Sequence, residues 1–309
     1  MLAAIGEMAP LPVRIKEAAR RDEAYQLMLH RPAKELERDH RIGHGGLLYR
    51  LREGEHDGQL VVPNDTRLRA YLISAAHDAL QAAHRGGERT LHWLQERVWW
   101  PKMGEEVARY VAGCEQCQRN KPDLAGRQGL PLSVEVPRRP WQVLCMDFVG
   151  PFPRTVRGHD AVMVVVDKLT RYAIYVPCST TSTAQDVFAL FMARVLGEHG
   201  IPEKIISDRD SRFTSHFWEG IWEQMNAELK RSTAFHPQSD GQTEVQNRTL
   251  IQALRSYVDA NQSDWDLLLP WMQFAHNTSE CGSTGFTPDY MVHGQHARSL
   301  LDAALEADG

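Results

Sequence analysis

A chain of 309 residues with net charge −5, 42% hydrophobic and 24% charged residues is long enough for about two domains, each with its own core, and has the make-up of an ordinary globular protein. No run of 18 or more apolar residues occurs, so no membrane span is expected, and the opening MLAAIGEMAPLPVRIKEAARRDE lacks the apolar stretch of a secretory signal. Five cysteines, an odd number without such a signal, argue against a disulfide framework and for a reducing compartment. The charge is uneven: Lys+Arg against Asp+Glu is 22 to 19 over residues 1–140 and 13 to 21 over 141–309. The acidic second half is either a solvated surface or a store of carboxylates for cations.

Residues 1–25 show weak patterning and read as a loose tail. GGLLYRLREGEHDGQLVVP, 45–63, reads as two short strands around a polar turn. Asp65 or Thr66 is placed to cap a helix through 67–83, a second helix fits 88–98, and a third fits 102–113 with Pro101 near its start and Gly113 at its end. Residues 118–140, with four prolines and few large apolar side chains, read as a linker. Beyond it WQVLCMDFVG, DAVMVVVDK and RYAIYVPC have strand composition, and 183–200 has helical periodicity ending at Gly200. EKIIS follows as a buried strand, then a helix at 215–227, a strand at 228–235, a long helix at 241–261 and a helical region at 263–279 broken near Pro270. Three hairpin-linked strands followed by alternating helices and strands predict an α/β domain: a mixed five-stranded sheet with flanking helices.

His77, His84, Cys114 and Cys117 stand as H-x6-H, 29 intervening residues, then C-x2-C. Imidazole and thiolate are the donors a tetrahedral structural Zn²⁺ takes, and a small helical core of this size gains from a metal staple. The competing reading makes the cysteines small buried apolar residues and the histidines incidental. His92, in mid-helix beside Trp93, is expected to pack or face solvent rather than bind metal. Trp99 and Trp100 read as core or interface residues.

Asp147 sits in a strand between apolar neighbours, where a lone buried charge is costly. Asp208 ends the EKIIS strand, and Glu244 opens the long helix after 35 intervening residues. At 100° per residue Glu244 shares a helix face with Asn247, Ile251, Leu254 and Val258, the stripe expected to pack on the sheet. Three converging carboxylates suit two Mg²⁺ or Mn²⁺ ions and in-line phosphoryl transfer. Asp210 reads as a turn former or a partner for Arg209 or Arg212, and any one of these acids alone would ordinarily be a turn or cap residue.

Taken together, VWWPKM, CEQCQRNKP, SDRDSRFTSHFW, FHPQSDGQTEVQNRTL and STGFTPDYMVHG make the sequence similar to the integrases of gypsy-type LTR retrotransposons, relatives of the retroviral integrases, over roughly residues 45–295. The resemblance implies that His77, His84, Cys114 and Cys117 form the family's zinc set and that Asp147, Asp208 and Glu244 form its catalytic and metal-binding set. It implies a ribonuclease H-like core preceded by a small helical zinc-binding domain. The implied division is an N-terminal extension with a hairpin at 1–64, a zinc-binding domain at 65–120, a linker at 121–140, a catalytic core at 141–295 and a C-terminal tail at 296–309. The implied activity is that of a polynucleotidyl transferase that trims the 3′ ends of element DNA and joins them to target DNA. Double-stranded DNA and further copies of the chain are then the expected partners, and the nucleus the expected compartment, although no nuclear localisation signal stands out. The histidine spacing exceeds that of retroviral integrases and suits the gypsy branch. The C-terminal barrel usual in the family, and the chromodomain frequent there, are not recognisable before Gly309.

His236, Gln238, Gln242, Asn247 and Arg248 crowd around Glu244 and are candidates for phosphate or base contact, although Gln242 could instead cap the helix with Ser239. Arg119, Lys121, Arg127, Arg138 and Arg139 are candidates for phosphate contact or for a solvated linker. Two other readings stand beside the enzyme: a truncated or domesticated copy kept as a DNA- or protein-binding module, and a ribonuclease H or other nuclease on the same fold.

Overall fold

The computed structural model describes residues 9–51, 58–120, 136–207, 228–231, 247–258 and 262–306. Contacts divide the chain into two compact units, Met1–Gln118 with Arg298–Gly309, and Arg119–Ala297. Among the described residues no helix is long and apolar enough to cross a membrane.

The first unit begins with helices the weak N-terminal patterning did not suggest. Helix α1, Leu11–Ala19, has Pro12 in its first turn and buries Leu11, Ile15, Ala18 and Ala19. With Pro12 also buried, five of the nine residues face inward and the periodic signal is weak, so this helix is fixed by what it packs on. Helix α2, Glu23–Leu29, is capped by Asp22, and its Tyr25 hydroxyl accepts the Leu48 amide at 2.9 Å. After a single turn α3, Ala33–Leu36, come strands β1, His40–Ile42, β2, Leu48–Arg50, and β3, Gln59–Val61. The expected hairpin is thus part of a four-stranded sheet, closed by the short β4, Val98–Trp99, running parallel to β3. Its two faces bury separate clusters, one with Tyr25, Leu36, Leu48 and Val61, the other with Ile15, Leu60, Leu72, Leu94, Val98 and Trp100.

Helix α4, Thr66–His77, is capped by Asp65, which accepts the Leu68 amide at 2.9 Å. It stops six residues short of the expected end, because a 3₁₀ turn at Leu80–Ala82 and left-handed backbone at Ala83 and His84 turn the chain back. Helices α5, Gly87–Gln95, and α6, Met103–Ala112, follow, then the short α7, Glu115–Arg119, too short to show a periodic pattern. The segment at 296–309, taken as a tail, contains a helix, Leu300–Glu306, whose Leu301 is buried in the cluster with Ile15 and Trp93.

The second unit is the expected mixed five-stranded sheet, in the order β7-β6-β5-β8-β9. Strands β5, Val143–Val149, β6, Ala161–Asp167, and β7, Ala173–Cys178, pair antiparallel, while β8, Lys204–Ser207, runs parallel to β5 and β9, Glu228–Arg231, parallel to β8. All seven residues of β6 are buried, the near-continuous apolar run of a strand covered on both faces. Helix α8, Ala184–Phe191, starts at a capping box of Thr183 and Asp186. It buries Val187 and Phe191 against the sheet, then widens into a π-turn at Met192–Leu196. The wider turn shifts the phase, so Val195 and Leu196 stay on the buried face and Arg194 is exposed. On the other side, helix Trp265–Asn277 runs through Pro270 without the expected break and packs on β7. Its Asn277 side chain exchanges two hydrogen bonds with the Ala173 backbone, at 2.8 and 2.9 Å, and Gln273 accepts the Tyr175 amide at 3.1 Å.

Candidate functional site

In the first unit, the turn after α4 brings the two histidines together. The His84 amide donates to the His77 carbonyl at 3.1 Å across the left-handed pair Ala83 and His84, with φ of 51° and 47°. Cys114 precedes α7 and Cys117 lies within it, so one short helical turn points both sulfurs the same way. One ligand atom from each of His77, His84, Cys114 and Cys117 falls within 4.8 Å of all the others. His77 Nε2 is 3.4 Å from His84 Nδ1 and 3.3 Å from Cys117 Sγ, and His84 Nδ1 is 3.4 Å from Cys114 Sγ. A tetrahedron of nitrogens at about 2.0 Å and sulfurs at about 2.3 Å from one Zn²⁺ has edges of this length. Of the metal-capable groups among the described residues, this set is the one that gathers so closely.

Protonation agrees with that donor set. Burial, reinforced by the neighbouring His84, lowers the His77 pKa, and burial lowers that of His84, so both rings are neutral donors at neutral pH. Burial and the adjacent Cys114 push the Cys117 thiol up to about 12, the state expected of a thiol pair until a cation draws off its protons. His77 Nδ1 donates to the Arg85 carbonyl at 2.9 Å, which turns Nε2 toward the cysteines. The Thr90 hydroxyl donates to the same carbonyl at 3.0 Å. Tyr110 donates to Asp78, whose carboxylate lies 4.0 Å from His84 Nδ1. Thr90, Asp78 and Tyr110 carry no spacing signal and were not singled out from sequence. His92 lies outside the group, part-exposed and 3.7 Å from Glu96, while Trp100 is fully buried and Trp99 half-buried under Arg50.

In the second unit, Asp147 lies in β5 opposite Val164 of β6. Its carboxylate accepts the Phe148 amide at 2.8 Å and the Asn247 side-chain amide. Ser207, immediately before Asp208 in the chain, pairs with Met146, immediately before Asp147. Asp208, Asp210, Glu244, His236, Gln238 and Gln242 lie outside the described residues. Residues 247–255 are helical and bury Leu250, Ala253 and Leu254; Leu250, absent from the expected stripe, is the most buried of them. Asn247 thus meets a carboxylate of the chain itself, and its Oδ1 is buried without a hydrogen-bond partner among the described residues. Arg248 is exposed. Beside Asp147 and Asn247 an open groove of about 720 Å³ runs between Phe148–Pro153 and the 247–258 segment. Of the linker cations, Arg139 pairs with Glu203 at 2.9 Å, and Lys121 and Arg127 lie outside the described residues.

A His₂Cys₂ cluster on a small helical unit and an acid fixed inside a mixed five-stranded sheet are the two parts of an integrase, and comparison with known families agrees. Residues 64–123 match the integrase zinc binding domain and residues 137–237 the integrase core domain. The chain thus carries the two domains of an integrase, and its likeness to transposon polyproteins agrees with the gypsy-type LTR-retrotransposon resemblance of its sequence. The Tf2-3 and Tf2-4 transposon polyproteins of Schizosaccharomyces pombe are each 33% identical to it over 235 residues, 76% of this chain. The chain spans 18% of the length of these curated relatives. Among solved structures, a simian T-cell lymphotropic virus intasome in complex with a PP2A regulatory subunit aligns at TM-score 0.46 and 15% identity, covering 63% of this chain and 69% of that one. The HTLV-2 integrase catalytic core domain in complex with magnesium, a trimeric form, aligns at TM-score 0.42 and 15% identity, covering 50% of this chain and 99% of that one.

Proposed function

We propose that this chain is the integrase part of a retrotransposon polyprotein and catalyses 3′-end processing and DNA strand transfer. The observation that carries the reading is the placement of Asp147: mid-sheet, bonded to Asn247 of the helix that follows Glu244 in sequence, with its strand neighbour Met146 paired to the residue before Asp208. Asp147, Asp208 and Glu244 would hold two Mg²⁺ or Mn²⁺ ions. Bound there, such ions activate the attacking oxygen and stabilise the leaving one. In the first step water attacks a phosphodiester near the element's 3′ end, the bond from phosphorus to the 3′-oxygen of the retained strand breaks, a 3′-hydroxyl is freed on that strand, and the terminal nucleotides leave carrying a 5′-phosphate. In the second that hydroxyl attacks a target phosphodiester, and a target 3′-hydroxyl leaves. Asn247 orients the Asp147 carboxylate, and Arg248, His236, Gln238 and Gln242 are the proposed DNA contacts around it. His77 through Nε2, His84 through Nδ1, and Cys114 and Cys117 through sulfur would hold one structural Zn²⁺.

Element ends and target duplex are the proposed substrates, a homo-oligomer bridging two ends the proposed assembly, and the nucleus the proposed site of action. A strand-transfer assay on labelled oligonucleotides with element-like ends, in Mg²⁺ and then Mn²⁺, tests the reading, with Asp208→Asn as control. Joined product from the wild type and none from the variant is the expected result. No product with either metal, from folded protein with zinc bound, would support a copy retained as a binding module instead.

A further inference from the structure

Both histidines of the metal cluster sit at the ends of one loop, 78–83, and that loop is held from a distant part of the sequence. The Gln81 side chain, 5% exposed, accepts the Leu300 amide at 3.3 Å. Gln81's own carbonyl accepts from the Arg85 guanidinium at 3.3 Å, and the Arg85 carbonyl is the group that fixes His77 Nδ1 at 2.9 Å. Arg85 also lies 5.3 Å from the centroid of the Trp93 ring, and Arg97 lies 4.0 Å from the same centroid. Arg97 in turn makes a two-pronged pair with Asp302, at 2.6 and 3.2 Å, and Asp302 closes a capping box with Ser299. The path from helix Leu300–Glu306 to the ring of His77 is therefore continuous, through one side-chain amide and one Arg–Trp–Arg contact, and all of it lies within the first unit.

We propose that residues 299–302 are a positioning element of the His77–His84–Cys114–Cys117 centre, setting metal affinity by fixing the loop between the histidines. The proposal rests on the reading of those four side chains as zinc ligands. Groups that orient a ligating histidine act on affinity through its ring, and their loss costs roughly 10–100-fold. The segment does this from more than 200 residues away in sequence, since Arg97 and Asp302 are 205 apart.

The test is zinc affinity of the full chain by competition with a chromophoric chelator, together with the visible spectrum of the Co²⁺-substituted protein. Asp302→Asn and Gln81→Ala are each expected to weaken zinc binding roughly 10-fold and to shift the Co²⁺ d–d bands. Gln81→Ala leaves the Arg97 pair intact, so it serves if Asp302→Asn does not fold. Arg298→Ala, which breaks an ion pair exposed at both ends, is expected to change neither reading. Leu48→Ala thins the other core cluster of the same unit and is expected to lower thermal stability without moving the Co²⁺ spectrum. Equal effects from Leu48→Ala and Gln81→Ala would overturn the proposal, as would wild-type affinity and spectrum in Gln81→Ala. If the wild type itself binds no stoichiometric zinc, the ligand reading fails first, and that outcome is distinct from the other two.

Discussion

The two candidate sites are held in place by different means. The His₂Cys₂ cluster is built from loop ends and a five-residue helix, and two left-handed residues are needed to bring its histidines together. Asp147 is fixed by ladders on both sides of β5, one of six paired residues to β6 and one of four to β8. A site made of loops depends on its ion for its shape, whereas a site made on a sheet is in place before any ion arrives. Metal should therefore be a folding requirement in the first unit and a catalytic requirement in the second.

The largest expected effect is on the loop-built site. Structural zinc contributes an apparent free energy of about 10–16 kcal/mol in small zinc-dependent peptides. Chelation, or Cys114→Ser, should release the zinc and open residues 65–118 to hydrogen exchange while the β5–β8 amides keep their protection. Stoichiometric zinc in the Cys114→Ser protein would remove that residue from the ligand set. Next, Asp147→Asn should abolish strand transfer, a loss beyond the roughly 100-fold ceiling for outer-shell groups, while the thermal midpoint stays within a few degrees of wild type. A large fall in the midpoint would mean that Asp147 is structural. Asn247→Ala should reduce strand transfer roughly 10–100-fold, with a raised metal requirement as the mark of a misplaced carboxylate.

Smaller effects sharpen the contrast. Asn277→Ala removes two hydrogen bonds from the Ala173 backbone and should cost about 1–3 kcal/mol in denaturant titration, with no change in zinc content. The smallest is a pH effect. Burial alone would raise the Asp302 carboxyl, but hydrogen bonds from Arg97, its charge, and hydrogen bonds from Ser299 together bring it below its ordinary value. A lowered folded-state pKa gives stability that is present above the unfolded value of about 3.9 and lost as pH falls through the folded value. The acid sensitivity of the first unit below about pH 4 should therefore lessen in Asp302→Asn.

Much of this was legible in the sequence because the signals were local or carried by spacing. Strand-forming runs marked β5, β6 and β7, helical periodicity over 183–200 marked α8, and C-x2-C with two upstream histidines marked the metal cluster. What escaped was non-local. Helix α1 is fixed by burial of Ile15 rather than by its own periodicity, and β4 is two residues long and exists because β3 lies beside it. Helix Leu300–Glu306 reads as a tail until its Asp302 meets Arg97. Asn247 was singled out for DNA because it follows Glu244 on a polar stretch, and only the packed helix reveals its bond to Asp147.

The amide side chains along β7 carry a consequence for how copies of the chain can meet. An outermost strand ordinarily offers its free backbone groups to any passing extended segment. Here Asn277 and Gln273 occupy the groups at Ala173 and Tyr175 as a neighbouring strand would. Growth of the sheet by strand addition is blocked at that end, which protects the core from runaway aggregation. Any assembly at this end of the sheet is left to helices and loops.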